Sequence, residues 1–516
     1  MTRHATLTHD ASDLVAGQWR PIPGEALVSH NPAHPDQMVF ACSPKLAHVD
    51  EALAAARAAL PAWRAMGLDG RARVLRTYQK LASERVDAMA ELIRHETGKV
   101  HWDSKAEAGL LAGKVGITLD DSPGAGRTRV AGFDIELTET RVGRCRFRPH
   151  GVMGVVGPFN FPAHLPNGHM VPALLMGNTI VLKPSDKTPA VGQALAELFD
   201  EALRAEGAPE GVVNLVHGAA DVAVKLVTHD ELDGILFTGS WPVGRRILES
   251  NLDRPGRIVA LEMGGNNPAV VMPDADLRQA AVEVARGAFV TTGQRCTCTR
   301  RLIVHESIAD GFIAAVAKIA SNLVVGPPDA EHPVFMGPLV TAEARDAVLR
   351  EQARQAERGG EIVLAASSPE IPGGGHYVTP GITRVDRFYA DDRDDAGCDT
   401  ETFGPLLRVC AVPDLDTAIQ QANATRFGLA ASIFTKDSTS IDRFCDEARA
   451  GCVNVNAATA GASGKLPFGG LGFSGNHRPA GSFSLDYCAY PVASMIESGD
   501  AAAIPPGFTF EDSWLG

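Results

Sequence analysis

The sequence predicts an α/β protein, a doubly wound parallel sheet with a second α/β domain beside it. Three observations lead there. At 516 residues the chain is too long for one hydrophobic core and should divide into two or three domains. From Gly151 it alternates between short buried apolar runs and helical stretches, and strands joined by helices pair in parallel. After Cys296 a second region with the same rhythm runs to about Asn454.

From Pro44 to about Gly98, Ala and Leu recur at intervals of three and four residues, as in DEALAAARAALPAWRAM, which predicts packing helices. A third helical stretch follows to about Leu119, and the Gly and Pro of DSPGAGR end it. RTRVAGFDIELTETRVGRCRFRPHG alternates on both sides of a polar middle. It predicts two antiparallel strands projecting from the body, with an edge that needs a partner strand. GVMGVVGP, NTIVLKPS, VVNLVHG, DGILFTGS and RIVALEMGG read as strands separated by helices, forming a sheet open to a nucleotide at its C-terminal strand ends. RLIVHES through AIQQANATRFGLAASIFT supply the second domain. The acidic stretch VDRFYADDRDDAGCD, poor in apolar residues, reads as a loop, and the tail from about Ser498 as extended or disordered. The expected boundaries are 1–125 with 148–265 for the first domain, 266–455 for the second, and 456–484 for a return to the first. The projecting strands take 126–147 and 485–500, and the tail 501–516.

Bulk composition excludes several classes. Hydrophobic content of 45% with 21% charged residues is ordinary for a globular protein. A net charge of −14 argues against nucleic acid and anionic membrane as partners. The polar N-terminus lacks the apolar core of a secretory signal, and no apolar run is long enough to span a membrane. Nine cysteines, an odd number scattered through a large chain, read as reduced thiols in a cytoplasm. Cys296 and Cys298 have no second Cys or His pair at zinc spacing, so no metal is expected.

The chemistry concentrates between Arg257 and Arg300. A short apolar run delivers Glu262 into a Met-Gly-Gly turn, and a Gly-Gln-Arg turn delivers Cys296, 34 positions on. A thiol and a carboxylate are what an enzyme needs to form a thioester and hydrolyse it, the sulfur as nucleophile and the carboxylate as base for the water.

Glu262-Met263-Gly264-Gly265-Asn266, followed at that interval by Gly293-Gln294-Arg295-Cys296-Thr297, resembles the paired active-site signatures of the aldehyde dehydrogenase superfamily. The resemblance implies that Cys296 attacks as a thiolate, that Glu262 is the base, and that the Asn160 amide in Gly157-Pro158-Phe159-Asn160-Phe161-Pro162 joins the Cys296 N–H in holding the oxyanion. It implies NAD as cofactor. Gly239, Ser240 and Gly244, on the turn GSWPVG, would face the pyrophosphate, with Pro242 in the first turn of a helix. Lys183, Ser185 and Asp186 would take the adenosine ribose, the Asp186 carboxylate repelling a 2′-phosphate. Glu401 and Phe403 of Glu-Thr-Phe-Gly-Pro would flank the nicotinamide end, with Phe159 nearby. The projecting hairpin would join a C-terminal strand to make a subunit contact in a homodimer or homotetramer.

Three further strings narrow the resemblance: FPAHLPNGHMVPAL from Phe161, GQRCTC from Gly293, and GFSGNHRP with DYCAYPVAS near the C-terminus. They resemble the members of the superfamily that oxidise N-succinylglutamate 5-semialdehyde. An aldehyde that carries carboxylates needs cationic or amide partners. Arg295, His164 and Lys465, with Asn167, His169 and Arg478, are the candidates, and Phe468 is a further substrate-binding candidate. Oxidation of another acidic semialdehyde, such as glutamate semialdehyde, and a non-catalytic protein on the same fold are the rival expectations.

Overall fold

A computed structural model describes residues 4–500, 502 and 504–516. Residues 12–42, in which the sequence pattern marks no element, form four strands: β1 (Ser12–Val15), β2 (Gln18–Pro21), β3 (Leu27–Asn31) and β4 (His34–Cys42). The helices expected next are α1 (Ala47–Ala65), α2 (Gly67–Glu84), α3 (Val86–Thr97) and α4 (His101–Thr118). The projecting hairpin is β5 (Phe133–Glu136) and β6 (Arg141–Pro149).

The first α/β region then runs β7 (Val152–Val156), α5 (His164–Met176), β8 (Thr179–Lys183), α6 (Pro189–Ala205), β9 (Val213–Leu215), α7 (Ala220–Thr228), β10 (Gly234–Gly239), α8 (Trp241–Glu249) and β11 (Ile258–Met263). Its sheet has the order β11-β10-β7-β8-β9-β1-β2, parallel from β11 to β9 and antiparallel beyond. Strand order reverses between β7 and β10, which opens a crevice beyond their C-terminal ends. Every residue of β7 and β8 is buried, as strands covered by helices on both faces require.

The second region runs β12 (Asn267–Val271), α9 (Leu277–Phe289), β13 (Thr299–His305), α10 (Ala309–Ser321), α11 (Ala342–Glu357), β14 (Glu361–Leu364), β15 (Gly381–Arg384), β16 (Leu406–Val412), α12 (Leu415–Ala422), β17 (Ala430–Phe434), α13 (Ser438–Glu447) and β18 (Cys452–Val455). These strands make a second sheet, β14-β15-β16-β13-β12-β17-β18, parallel except for β14. Four of its helices start on a side chain that accepts the N–H three residues on: Asp276 for α9, Thr341 for α11, Asp414 for α12 and Asp437 for α13. The starts of α5 and α6 are held differently. Buried glutamates on neighbouring helices accept their first N–H groups, Glu107 for Ala163 and His164, Glu96 for Ala190 and Val191.

The chain then returns to the first sheet. Gly475 bridges to Glu262, and the Asn476 side chain accepts from Leu261 N–H at 2.8 Å and donates to Val259 C=O at 3.0 Å, satisfying the outer edge of β11. After a short pair, β19 (Pro467–Phe468) and β20 (Ala480–Gly481), strand β21 (Ala489–Glu497) pairs antiparallel with β6, from Ala489 opposite Pro149 to Glu497 opposite Arg141.

The acidic stretch 385–399 has no helix or strand, but it is not a solvated loop throughout. Phe388 is buried, and Asp399 is buried where it accepts from Asn266 and Thr425 side chains at 2.8 and 2.6 Å. Of the expected tail, Ala501 and Ala503 lie outside the described residues; the rest is exposed, with one helical turn at Asp512–Leu515. Among the described residues no helix is long and apolar enough to cross a membrane, and the nine cysteines are free thiols.

Candidate active site

Cys296 sits on a forced turn between α9 and β13. Thr291 and Thr292 both have φ of 54° and Gly293 has φ of 72°, three successive left-handed residues. β-Branched side chains resist that conformation, so the surroundings must hold it. The Thr291 hydroxyl donates to Asp103 at 2.5 Å and the Thr292 hydroxyl to Gly337 C=O at 2.8 Å. A Cβ on Gly293 would lie 2.1 Å from the Gly404 carbonyl, so glycine is required there on two counts. Beyond the turn, the Asn267 amide donates to the carbonyls of Cys296 and Cys298, each at 2.8 Å.

Glu262, at the end of β11, is 1% exposed. The Cys296 thiol donates to its Oε1 across 3.9 Å, and its Oε2 has no partner although it is buried. Burial raises the carboxyl to about 7, partly offset by the thiol's hydrogen bond. Burial, then the carboxylates of Glu262 and Glu401, push the Cys296 thiol well up. The protein groups alone therefore hold a neutral thiol against a carboxyl that titrates near neutrality. Two acids face the sulfur, so the expected thiolate depends on positive charge from outside the chain, which the resemblance assigns to the nicotinamide. The Asn160 amide, 6% exposed, reaches the same turn and donates one N–H to the Gln294 carbonyl at 3.0 Å.

Both Cys296 and Asn160 line a cleft of about 1420 Å³ that follows the crevice of the first sheet. Lys183, Ser185, Asp186, Phe159 and Phe403 line it too, with Gly239 and Ser240 where β10 meets α8, and with Glu401, whose charge acts on the sulfur. Lys183 is buried, bonded to Pro184 C=O at 3.0 Å, and lowered to about 8 by burial. Pro242 lies in the first turn of α8, and Trp241 stacks on Phe473 with ring centres 4.1 Å apart. Gly244 faces inward, where a Cβ would meet Met263 Sδ at 2.3 Å, so it serves helix–strand packing. Glu401 accepts from Gly265 N–H at 3.0 Å, and its carboxyl is raised by burial. The Phe159 and Phe403 rings meet edge to face at 5.8 Å.

None of the seven residues expected to hold the substrate, Arg478 among them, lines this cleft. Arg295 bonds Asp103 at 2.7 Å and Thr291 Oγ1 at 2.7 Å, so its charge is already matched. Burial, Lys114 and Lys99 lower His164 to about 4, so it is a neutral ring rather than a cation, and its Nδ1 is buried without a partner. Lys465 is exposed, and Phe468 is half-buried within β19. Asn167 and His169 are interior residues, engaged by Tyr78 at 2.7 Å and by Tyr487 and Thr238 at 2.8 and 3.1 Å. Asp103, Asn267 and the Gln294 carbonyl were given no role by the motif reading; of these only Gln294 lies in a quoted motif, directly after Gly293.

Residues 19–491 match the profile described as the aldehyde dehydrogenase family. An N-succinylglutamate 5-semialdehyde dehydrogenase of Chromobacterium violaceum is 42% identical over 497 residues, 96% of this chain and 98% of that protein. N-succinylglutamate 5-semialdehyde dehydrogenase 2 of Caulobacter vibrioides is 44% identical over 495 residues, 94% and 96% of the two chains. The crystal structure of an NAD-dependent aldehyde dehydrogenase from Sinorhizobium meliloti superposes with a TM-score of 0.88 at 28% identity, covering 98% of this chain and 97% of that one. With a free thiol hydrogen-bonded to a buried carboxyl at the head of a nucleotide crevice, and matches that run nearly end to end, the chain belongs to the aldehyde dehydrogenase family.

Proposed function

We propose that the chain oxidises an aldehyde to a carboxylic acid with NAD, and that its substrate is N-succinyl-L-glutamate 5-semialdehyde, giving N-succinyl-L-glutamate. One observation carries the reaction type: the Cys296 sulfur stands 3.9 Å from a Glu262 carboxyl that is buried and half unsatisfied. The substrate follows from near full-length identity of 42 and 44% to the two semialdehyde dehydrogenases.

The residues present fit NAD. The positive end of the α8 dipole, at Ser240 and Trp241, suits the pyrophosphate, Lys183 and Asp186 the adenosine ribose, and Glu401 and Phe403 the nicotinamide end. When bound, NAD supplies positive charge beside the sulfur and accepts the hydride. The protein does the rest. Sγ adds to the aldehyde carbon as the thiol proton passes to solvent, which leaves Glu262 as a carboxylate. The oxygen becomes negative, and the Asn160 amide with the Cys296 N–H stabilises it, one such donor being worth about 3 kcal/mol of barrier. Once the thioester has formed, Glu262 removes a proton from the water that attacks it, and the acid leaves with the thiol restored.

The subunit contact belongs to the same proposal. The β21-β6-β5 sheet carries exposed Phe133, Ile135, Tyr490 and Met495, an apolar surface suited to a second copy in a homodimer or homotetramer. Operation in the cytoplasm agrees with nine unpaired thiols.

A panel of succinylated, free and neutral aldehydes, followed by NADH absorbance with NAD or NADP, tests the reading. The succinylated semialdehyde with NAD should give the highest kcat/KM, and Cys296→Ala should give none. Turnover by Cys296→Ala at the wild-type rate would refute the mechanism, and preference for free glutamate semialdehyde would refute the substrate.

A further inference from the structure

We propose that α4 fixes the spacing between the nucleophile and its oxyanion donor, with Asp103 and Glu107 as the positioning residues. The two carboxylates stand four residues apart, so one helical turn puts them on a single face of α4. Both are 1% exposed.

Asp103 takes the nucleophile's turn. It accepts from the Thr291 hydroxyl at 2.5 Å and from the Arg295 guanidinium at 2.7 Å, and Arg295 Nε donates to the same Thr291 hydroxyl at 2.7 Å. These bonds fall on the left-handed residue that the turn needs and on the residue immediately before Cys296. Glu107 takes the other loop. Its Oε1 accepts from the N–H groups of Ala163 at 3.0 Å and His164 at 3.2 Å, just past Asn160, while its Oε2 is paired with buried Lys99 at 2.5 Å. The Lys99 ammonium lies 3.5 Å from the centre of the Phe161 ring, and the Arg295 guanidinium 5.1 Å from it. Phe161 follows Asn160 directly, so the two cations that α4 organises also contact the ring beside the oxyanion donor. The single bond between the loops themselves, Asn160 to the Gln294 carbonyl, is uncharged. Charge-assisted bonds in a dry interior hold geometry more firmly, and α4 supplies them to both sides.

Arg295 is thus a positioning residue rather than a partner for substrate carboxylates. This rests on the assignment of Cys296 and Asn160 above, and a cofactor-free reaction separates the two. In hydrolysis of p-nitrophenyl acetate, Sγ attacks the ester carbonyl, the C–O bond to p-nitrophenolate breaks, and water cleaves the thioester to acetate and thiol. Cys296→Ala should abolish it. If it does not, the underlying assignment fails and this proposal with it. In the full-length enzyme, Asp103→Asn and Arg295→Met should each lower ester hydrolysis and aldehyde kcat by about tenfold, a modest share of what misplaced reacting groups can cost. The loss should be the same for propanal and for a carboxylated semialdehyde, with KM and NADH binding by fluorescence little changed. Arg295→Lys should recover part of it. If Asp103→Asn does not fold, Arg295→Met decides alone. An Arg295→Met enzyme with wild-type ester hydrolysis, impaired only in KM for carboxylated aldehydes, would overturn the proposal.

Discussion

At the scale of single residues, the electrostatics of Glu262 give the sharpest expectation. Its carboxyl is raised to about 7 because burial disfavours the charged form. As base it must be ionised, so thioester hydrolysis should increase as pH rises through about 7 and level off above it. Glu262→Gln should remove that limb and produce a burst of NADH followed by a stall; steady turnover with an unchanged pH profile would exclude the role. Motif residues such as Cys296 and Glu262 were legible because their chemistry is stated by residue type. Arg295 was not. A cation beside a nucleophile suggests a substrate anchor, and its actual partner, Asp103, is 192 positions away in sequence.

At the scale of elements, glycine turns control how closely segments meet. A Cβ on Gly264 would lie 1.9 Å from the Glu401 carboxylate, which now accepts from Gly265 N–H. Gly264→Ala should displace Glu401 and forfeit that charge-assisted bond, at about 2 kcal/mol. The matching rise in KM for NAD is about thirtyfold, with little change in cofactor-free ester hydrolysis. Steady-state kinetics on the two substrates would check it. Buried parallel strands were readable from unbroken apolar runs, as in β7 and β8. β1 escaped because it buries Asp13, which pairs with His48 at 2.8 Å and His217 at 3.0 Å. A carboxylate inside a four-residue strand contradicts the apolar pattern, and only the distant histidines make it tolerable. At α5 and α6 the helices, beginning at His164 and Pro189, were legible, but what caps them was not. Their caps, Glu107 and Glu96, come from other helices, whereas the caps of α9, α11, α12 and α13 stand next to the helix they start.

At the scale of the whole molecule, two sheets share one crevice, and the small β21-β6-β5 sheet extends from the body. If its apolar surface meets a second copy, Ile135→Asp combined with Met495→Asp should reduce the particle to a monomer by sedimentation while cofactor-free ester hydrolysis persists. An unchanged sedimentation coefficient would place the contact elsewhere. Breaking α4's buried Lys99–Glu107 pair acts on stability too: removing one partner of such a pair costs about 3–5 kcal/mol.

The pairing of β6 with β21 also bears on how the chain is made. Their register joins Arg141 to Glu497, so β6 leaves the ribosome with one side of its backbone unpaired and waits for nearly all the remaining chain to be synthesised. During that interval a nascent molecule offers an open strand edge to its neighbours on the same message. Four arginines stand along β6, at 141, 144, 146 and 148, and like charges of this kind disfavour the pairing of one such edge with another copy of itself.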